Sequence, residues 1–375
     1  MRITGIELFH ISIPFVTPYA LSKIYGTPSH AEAVIFKVHT DKGIVGLGEA
    51  DPLNPFTPET PASVMVVVRD VIAPHMIGRD PTQIAALEAT LDRVILGNLT
   101  ARGAISMTLH DIIAKANNIP VHTLLGGCRQ KCLPILGAIG SGTVEEDAAA
   151  IQDWVDKGCR TVMIKMGALP VAQDIKRMSA AKKAFGNHVI FIVDANQGWN
   201  VAETLQFLAG TQHCRPDMLE QPVGRHDING LRRIRDRAPC LISVDESLES
   251  IHNAKEIVLK EAADVFSIKV SKNGGLSKSR QIVQLAQAFG VDCLMNSMLE
   301  FGISQAASLQ LGCTMGNLLH MGHAYHSVMR MSDDVTDFAQ NIADGVVTLP
   351  SGSGLGVNLD EDKLKKYTQN YMKIR

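Results

Sequence analysis

The sequence lacks a dominant charge. Thirty-six Lys and Arg stand against 38 Asp and Glu, a formal net charge of -2 at pH 7. No one-signed field is present to hold nucleic acid or anionic lipid. The one dense basic run, Arg232, Arg233, Arg235 and Arg237, is interleaved with Leu231, Ile234 and Asp236, as on a solvated helix face. No apolar stretch approaches the roughly 18 residues that a membrane span needs. The opening MRITGIELFHISIP alternates like a strand and lacks the continuous apolar block of a secretion signal. The seven cysteines contain no C-x-x-C pair; the nearest two are Cys128 and Cys132, and Cys240 and Cys293 sit in apolar runs. They read as reduced core residues of a cytoplasmic protein. With 46% hydrophobic and 20% charged residues over 375 positions, the chain suits a globular enzyme: one large barrel plus a smaller domain.

The pattern changes along the chain. Residues 3–14, 33–40 and 44–50 read as an antiparallel meander, with Asp41-Lys42-Gly43 as the second turn. Between its first two strands lies VTPYALSKIYGTPSH, which has no clear periodicity; a loop of that length in a compact domain is usually functional. A helical region follows over about 58–118, closed by Pro120. From about 130, short β-rich runs (LPILGA, TVMIKM, VIFIVD, PDMLE, CLISVD, VFSIKV, VDCLMN and, less regularly, NLLHMG) alternate with amphipathic stretches. The markers Lys165, Asp194, Glu220, Asp245, Lys269, Asn296 and His320 are spaced by 24 to 29 residues, the size of a β-α unit. Eight such strands in series predict a (β/α) barrel. A doubly wound sheet would want a G-x-G-x-x-G after its first strand, and none is there. The expected organisation is an α+β capping domain over 1–128, the barrel over 129–325, and a segment, 326–375, that packs back on the cap.

The chemistry lies in how the strands end. The third, fourth and fifth barrel strands end in Asp194, Glu220 and Asp245, on the rim where barrel active sites sit. Three convergent carboxylates repel one another unless a cation joins them. An all-oxygen set suits a hard divalent ion, Mg²⁺ with Mn²⁺ as a possible substitute. On the second strand, Thr161, Met163 and Lys165 share the inward face, and the sixth strand presents Lys269. These two strands are opposite each other around a barrel, with the three acidic strands between. Two amines therefore flank a ligand held on the ion. The corresponding reaction is removal of the proton α to a substrate carboxylate, with the charge of the resulting enediolate stabilised by the metal. Asn196 and Glu246 adjoin the proposed ligands. Asn296 ends the seventh strand, and Glu300 follows it, placed to orient Lys269 or the substrate. The pair Gly274-Gly275 reads as a turn.

These residues resemble the enolase superfamily, in particular its muconate lactonizing enzyme subgroup. GLGEA, GNLTARGAISMTLHDI, LLGG, DANQGW, EQPV, DESL, IKVSKNGGL and GLGVNLD carry the likeness over nearly the whole chain. The resemblance implies a (β/α)₇β barrel with an α+β cap, Asp194, Glu220 and Asp245 as Mg²⁺ ligands, and Lys165 and Lys269 as an acid/base pair; such a Lys–Mg²⁺ pairing is a general feature of the superfamily. It also implies that the loop carrying Tyr19, Lys23 and Tyr25 closes the barrel mouth, and that the chain forms a symmetric homo-oligomer. Asn296 replaces the His-Asp arrangement of the mandelate racemase subgroup. On the eighth strand, where some relatives carry acidic residues, LLHMGHAYH offers His320, His323 and His326 to the distal end of a substrate.

Two opposed lysines are most directly required by racemisation or epimerisation of an amino-acid-like carboxylate. Muconate-type cycloisomerisation and β-elimination are alternatives within the same chemistry, and a catalytically silent binding protein is the alternative outside it. One departure motivates that last reading: the subgroup's K-x-K on the second strand is here Met163-Ile164-Lys165. A methionine cannot depress the Lys165 pKa by charge. Lys165 is therefore expected to keep a higher pKa than in that subgroup, with the activity optimum at higher pH; Met163→Lys should move the acid limb of the pH–rate profile to lower pH, and an unchanged profile counts against this effect of Met163.

Overall fold

The computed structural model describes residues 1–375. Strands β1 (Ile3–Pro14), β2 (His30–Thr40) and β3 (Val45–Ala50) form the expected antiparallel meander. Its tight turn uses Gly43 at a φ of +73°. The helix Leu99–Ala116 lies against β3 so closely that a Cβ on Gly48 would sit 2.3 Å from the Ala104 carbonyl oxygen, so only glycine serves there.

The second half begins with β4 (Cys132–Pro134). Strands β5 (Leu136–Ile139), β6 (Thr161–Lys165), β7 (Ile190–Asp194), β8 (Met218–Glu220), β9 (Leu241–Val244), β10 (Val265–Ile268) and β11 (Asp292–Met295) then pair in parallel, in unbroken sequential order. That order is the curled sheet of a barrel and excludes a doubly wound sheet, whose order reverses. Several helices between the strands begin on side-chain caps, as where Thr143 and Glu146, or Asn200 and Glu203, satisfy each other's backbone N–H groups.

The eighth run differs from expectation. NLLHMG forms no continuous strand. The segment instead makes isolated parallel bridges, Leu318 to Cys293 on β11 and His323 to Ile135 beside β5, and the Gly322 N–H donates to Thr161 Oγ1 at 3.0 Å. The gap is still closed by backbone hydrogen bonds, Leu319 N to Cys293 O and Leu136 N to His323 O, both at 2.9 Å. The ladder is interrupted near Gly322, whose Cα approaches the Ile135 backbone too closely for a side chain.

The alternation on β6 sorts its residues as read. Met163 packs inside the barrel with Leu136, Ile192, Met218, Val265 and Leu294. Val162, Ile164 and Met166 join the larger core beneath the helices. The C-terminal segment divides. β12 (Ile342–Ala343) pairs with β13 (Val346–Thr348), which pairs with β4 at the barrel's N-terminal end, whereas β14 (Thr368–Ile374) adds to β1 in the cap sheet. All seven cysteines are free; Cys128 and Cys132 are exposed, and only Cys159, Cys214, Cys293 and Cys313 are core residues in full. No helix is long and apolar enough to cross a membrane.

One buried ion network ties the ends of β5 and β6. The Arg177 guanidinium pairs with Asp147 at 2.7 Å and Asp174 at 3.1 Å, and donates to the carbonyls of Lys165 at 2.9 Å and Gly140 at 3.1 Å. Removing one partner of such a network leaves buried charge uncompensated, at about 3–5 kcal/mol. Arg177→Met is expected to lose that order of stability in urea unfolding, and Arg177→Lys to recover only part of it because the planar fork is lost.

Candidate active site

The residues that end the barrel strands meet under the cap. Lys165 closes β6 in register with Asp194 on β7, which is in register with Glu220 on β8. Asp245, Lys269 and Asn296 follow directly on β9, β10 and β11. Asp194, Glu220 and Asp245 are each at most 1% exposed. They do not stand as a ligand cluster, and no three acidic, His or Cys side chains have metal-binding spacing. The reason is visible in their partners. Lys165 Nζ takes Asp194 Oδ2 at 2.5 Å. Lys269 Nζ takes Asp245 Oδ2 at 2.6 Å, and Lys272 Nζ takes Asp245 Oδ1 at 2.7 Å. Glu220 has no cation in contact; its Oε1 accepts from Asn296 Nδ2 at 2.8 Å.

The electrostatics follow from this. Burial, then Asp194 and Asp245, push the Glu220 carboxyl well above its usual range. Burial would raise Asp245 too, but Lys269 and Lys272 outweigh it and hold it at about 2. Burial, Asp245 and Asp194 raise Glu246 to about 7. Burial alone would lower both Lys165 and Lys269; the carboxylates beside them, Asp194 and Asp245 first, more than offset it and both amines are raised. An amine so paired keeps its proton. The donor chemistry fits a divalent ion: three carboxylates from adjacent strands, all oxygen, with Glu220 left facing two anions. An ion engaging Asp194 and Asp245 would also take from each lysine the partner that keeps it protonated.

Lys165, Lys269, Asn196, Asn296, Tyr19 and Tyr25 all line one cavity of ≈ 40 Å³, together with Met163 and His326. A larger depression of ≈ 540 Å³, around Arg215, Arg235 and Asp264, lies at the opposite ends of the strands and its charges pair with each other. The small volume reflects the long N-terminal loop. Ser22 Oγ donates to the Asn196 carbonyl at 3.0 Å, the Ser141 N–H to the Ala20 carbonyl at 2.9 Å, and Tyr25 Oη to Glu246 Oε1 at 3.0 Å. Lys23 on the same loop is exposed. Asn196 Nδ2 reaches Glu246 at 3.3 Å and its N–H binds Asp194 at 2.9 Å.

Three candidates stand elsewhere. Glu300 is bound by Ser297 Oγ, the Met298 N–H and Gln305, and does not touch Lys269. His320 is exposed at the other end of the barrel. His323 is buried in the wall, where its Nδ1 accepts from the Met295 N–H at 3.2 Å; burial lowers it to about 4. Because NLLHMG is not a regular strand, its spacing does not choose among the three histidines; His326 is the one on the cavity. Two residues were overlooked. Lys272 is signalled only by its place three residues after Lys269. Phe56, whose ring lies 4.4 Å from Lys269 Nζ, comes from the cap and carries no local signal.

Comparison with known proteins accords with this architecture. Residues 146–363 match the enolase C-terminal domain-like family, and residues 5–126 the mandelate racemase/muconate lactonizing enzyme N-terminal domain. The chain is 31% identical to a chloromuconate cycloisomerase of Cupriavidus necator over 98% of its length and 100% of that protein's. Among solved structures, it resembles an N-succinyl Arg/Lys racemase of Bacillus cereus at 29% identity, TM-score 0.96, covering 100% of both chains. It also resembles an L-Ala-D/L-Glu epimerase of Bacillus subtilis at 28% identity, TM-score 0.91, over 95% of this chain and 99% of that one.

The Glu220 environment gives a signed expectation. Glu220→Gln relieves like-charge repulsion and should leave the metal-free protein as stable or more so, while abolishing the rise in melting temperature on adding Mg²⁺. Saturating an ion site at 100 times its Kd is worth about 2.7 kcal/mol. An undiminished Mg²⁺ shift in Glu220→Gln, Asp194→Asn and Asp245→Asn alike, by scanning calorimetry, rejects the ligand assignment.

Proposed function

The chain belongs to the mandelate racemase/muconate lactonizing enzyme family of the enolase superfamily, and from that premise we propose that it is an isomerase that inverts the α-carbon of an amino-acid-like carboxylate. The observation carrying this reading is the position of the two amines: Lys165 and Lys269 line the same cavity from β6 and the end of β10, with the three acidic strands between them. Enzymes of this family use a divalent metal; here it is taken to be Mg²⁺, held by Asp194, Glu220 and Asp245, and its contribution is Lewis-acid polarisation of the substrate carboxylate.

The protein's own groups do the rest. One lysine, relieved of its carboxylate, accepts the α-proton from one face; the other, still an ammonium, delivers a proton to the opposite face. Reversing their protonation states serves the other stereoisomer. Glu246, with Asn196 and Tyr25 hydrogen-bonded to it, braces the rim between Asp194 and Asp245. Phe56 and the loop bearing Tyr19 and Tyr25 exclude water from the amines. Since the cavity is far smaller than the few hundred Å³ of an ordinary substrate site, entry requires that loop to move. The named racemase and epimerase relatives support this outcome. Cycloisomerisation is kept as a second reading because chloromuconate cycloisomerases are equally similar in sequence.

The test is α-hydrogen exchange. In D₂O with Mg²⁺ and a set of N-acyl amino acids, the wild type should place deuterium at the α-carbon of both enantiomers. Lys165→Ala and Lys269→Ala should each lose about 10²–10⁴-fold in rate, the usual worth of a positioned acid or base. Normal exchange in both variants refutes the acid/base pair.

A further inference from the structure

The two amines of the cavity are supported by different parts of the molecule. Lys165 ends β6, and its carbonyl accepts from Arg177 Nη1 at 2.9 Å and from Ser141 Oγ at 3.2 Å, both groups of the barrel. Lys269 stands under the Phe56 ring of the cap, whose centroid is 4.4 Å from Nζ. An ammonium at that distance is drawn to the face of the ring. Phe56 is 5% exposed and forms that side of the cavity. A four-carbon stem is flexible, so a wall on one side narrows the positions its amine can take.

What holds the ring is a single arginine. Residues 52–58, between β3 and the helix Pro61–Val67, have no regular structure. Within them the Thr57 N–H donates to the Leu53 carbonyl at 2.8 Å, and the Leu53 N–H to Thr57 Oγ1 at 3.0 Å. One hydrogen bond joins this stretch to the barrel, from Arg225 Nη2 to the Phe56 carbonyl at 2.9 Å. Arg225 lies between β8 and the helix Ile228–Arg235, and it is fixed at three further points. Its Nη1 pairs with Glu249 Oε1 at 3.0 Å. Its N–H donates to Gln197 Oε1 at 2.8 Å, and its carbonyl accepts from Ser247 Oγ at 2.8 Å. Gln197 and Ser247 follow closely on Asp194 and Asp245, so the geometry of the rim is carried through Arg225 to a cap residue.

We propose that Arg225 is a positioning residue for Lys269: through the Phe56 carbonyl it keeps the Phe56 ring over that amine, and it has no such hold on Lys165. Resting on the functional reading above, this means that the two faces of the reaction depend on separate supports. The Lys165 face is set by Arg177 and Ser141 within the barrel. The Lys269 face is set across the junction with the cap, by a charge-assisted hydrogen bond to one carbonyl. Loosening that bond therefore disturbs proton transfer on one face of the α-carbon and spares the other.

Two measurements on the full chain test this. In the first, the metal-free protein is treated with formaldehyde and cyanoborohydride, and methylation of each lysine is followed by peptide mass spectrometry. In Arg225→Gln, Lys269 should be methylated about 10- to 100-fold faster than in the wild type, the range of one charge-assisted hydrogen bond, with the rate at Lys165 unchanged. Phe56→Leu should give the same selective gain, and combining the two should add little, since both act through one ring. Arg225→Lys should restore part of the protection, because a point charge cannot hold Glu249 and the carbonyl together; it carries the same comparison should Arg225→Gln fold poorly. In the second, each enantiomer of an N-acyl amino acid is incubated separately with Mg²⁺ in D₂O. Arg225→Gln should slow α-exchange about 10- to 100-fold for the enantiomer whose proton Lys269 takes, and leave its mirror image at the wild-type rate. No gain in methylation at Lys269, or an equal gain at Lys165, overturns the proposal, as does equal slowing of both enantiomers. Selective methylation with no α-exchange in any compound supports the positioning role and rejects the proton-abstraction reading instead.

Discussion

The balance of charge at the barrel rim governs the rest of this structure. Parallel strands lie about 4.8 Å apart, so carboxylates ending three neighbouring strands are forced into mutual repulsion once the cap removes them from water. Asp194, Glu220 and Asp245 are in that position, and the fold answers with amines from both sides: Lys165 from β6, Lys269 and Lys272 from the loop after β10. Two of the three acids are neutralised and the third, Glu220, is left to the amide of Asn296. A ring of charges so nearly balanced is sensitive to any further cation, and the same amines that neutralise the rim become available for proton transfer when their carboxylates are engaged elsewhere.

The cap completes the site. It supplies Phe56 against Lys269 and the Tyr19–Tyr25 loop across the mouth, and its β3 end places buried carboxylates at the junction with the barrel. Glu49 accepts from the Phe301 and Ser304 N–H groups, at 2.6 and 2.9 Å, pinning the start of the helix Gly302–Gly312. Asp51 beside it is buried without a hydrogen-bond partner, and burial, then the charge of Glu300, raise its carboxyl. Through these contacts the two halves of the chain share one electrostatic problem at their junction.

Much of this could be read in the chain because barrel architecture is periodic. The spacing of strand ends, the alternation that turned Met163 and Lys165 inward, and the three acidic termini are local patterns, and the sequential sheet order follows from them. The reading weakened where the period failed. NLLHMG lacks a regular ladder, so spacing offers His320, His323 and His326 alike, although the first is exposed, the second is buried in the wall and the third lines the cavity. Glu300 was expected near Lys269 and is instead consumed by its own loop. The eighth closure depends on backbone hydrogen bonds to Cys293 and Leu136, which no local pattern announces.

By itself the sequence determined which groups arrive at the rim, because a two-residue alternation and a β-α repeat decide where a side chain points within its own unit. Only the tertiary structure decided how those groups pair. Hydrogen-bond and charge partners at the barrel rim lie 24 to 76 residues apart in the chain, others come from a separate domain, and short-range pattern carries no record of such meetings. That is why Lys272 on Asp245 and Phe56 over Lys269 became visible only once the chain had closed on itself.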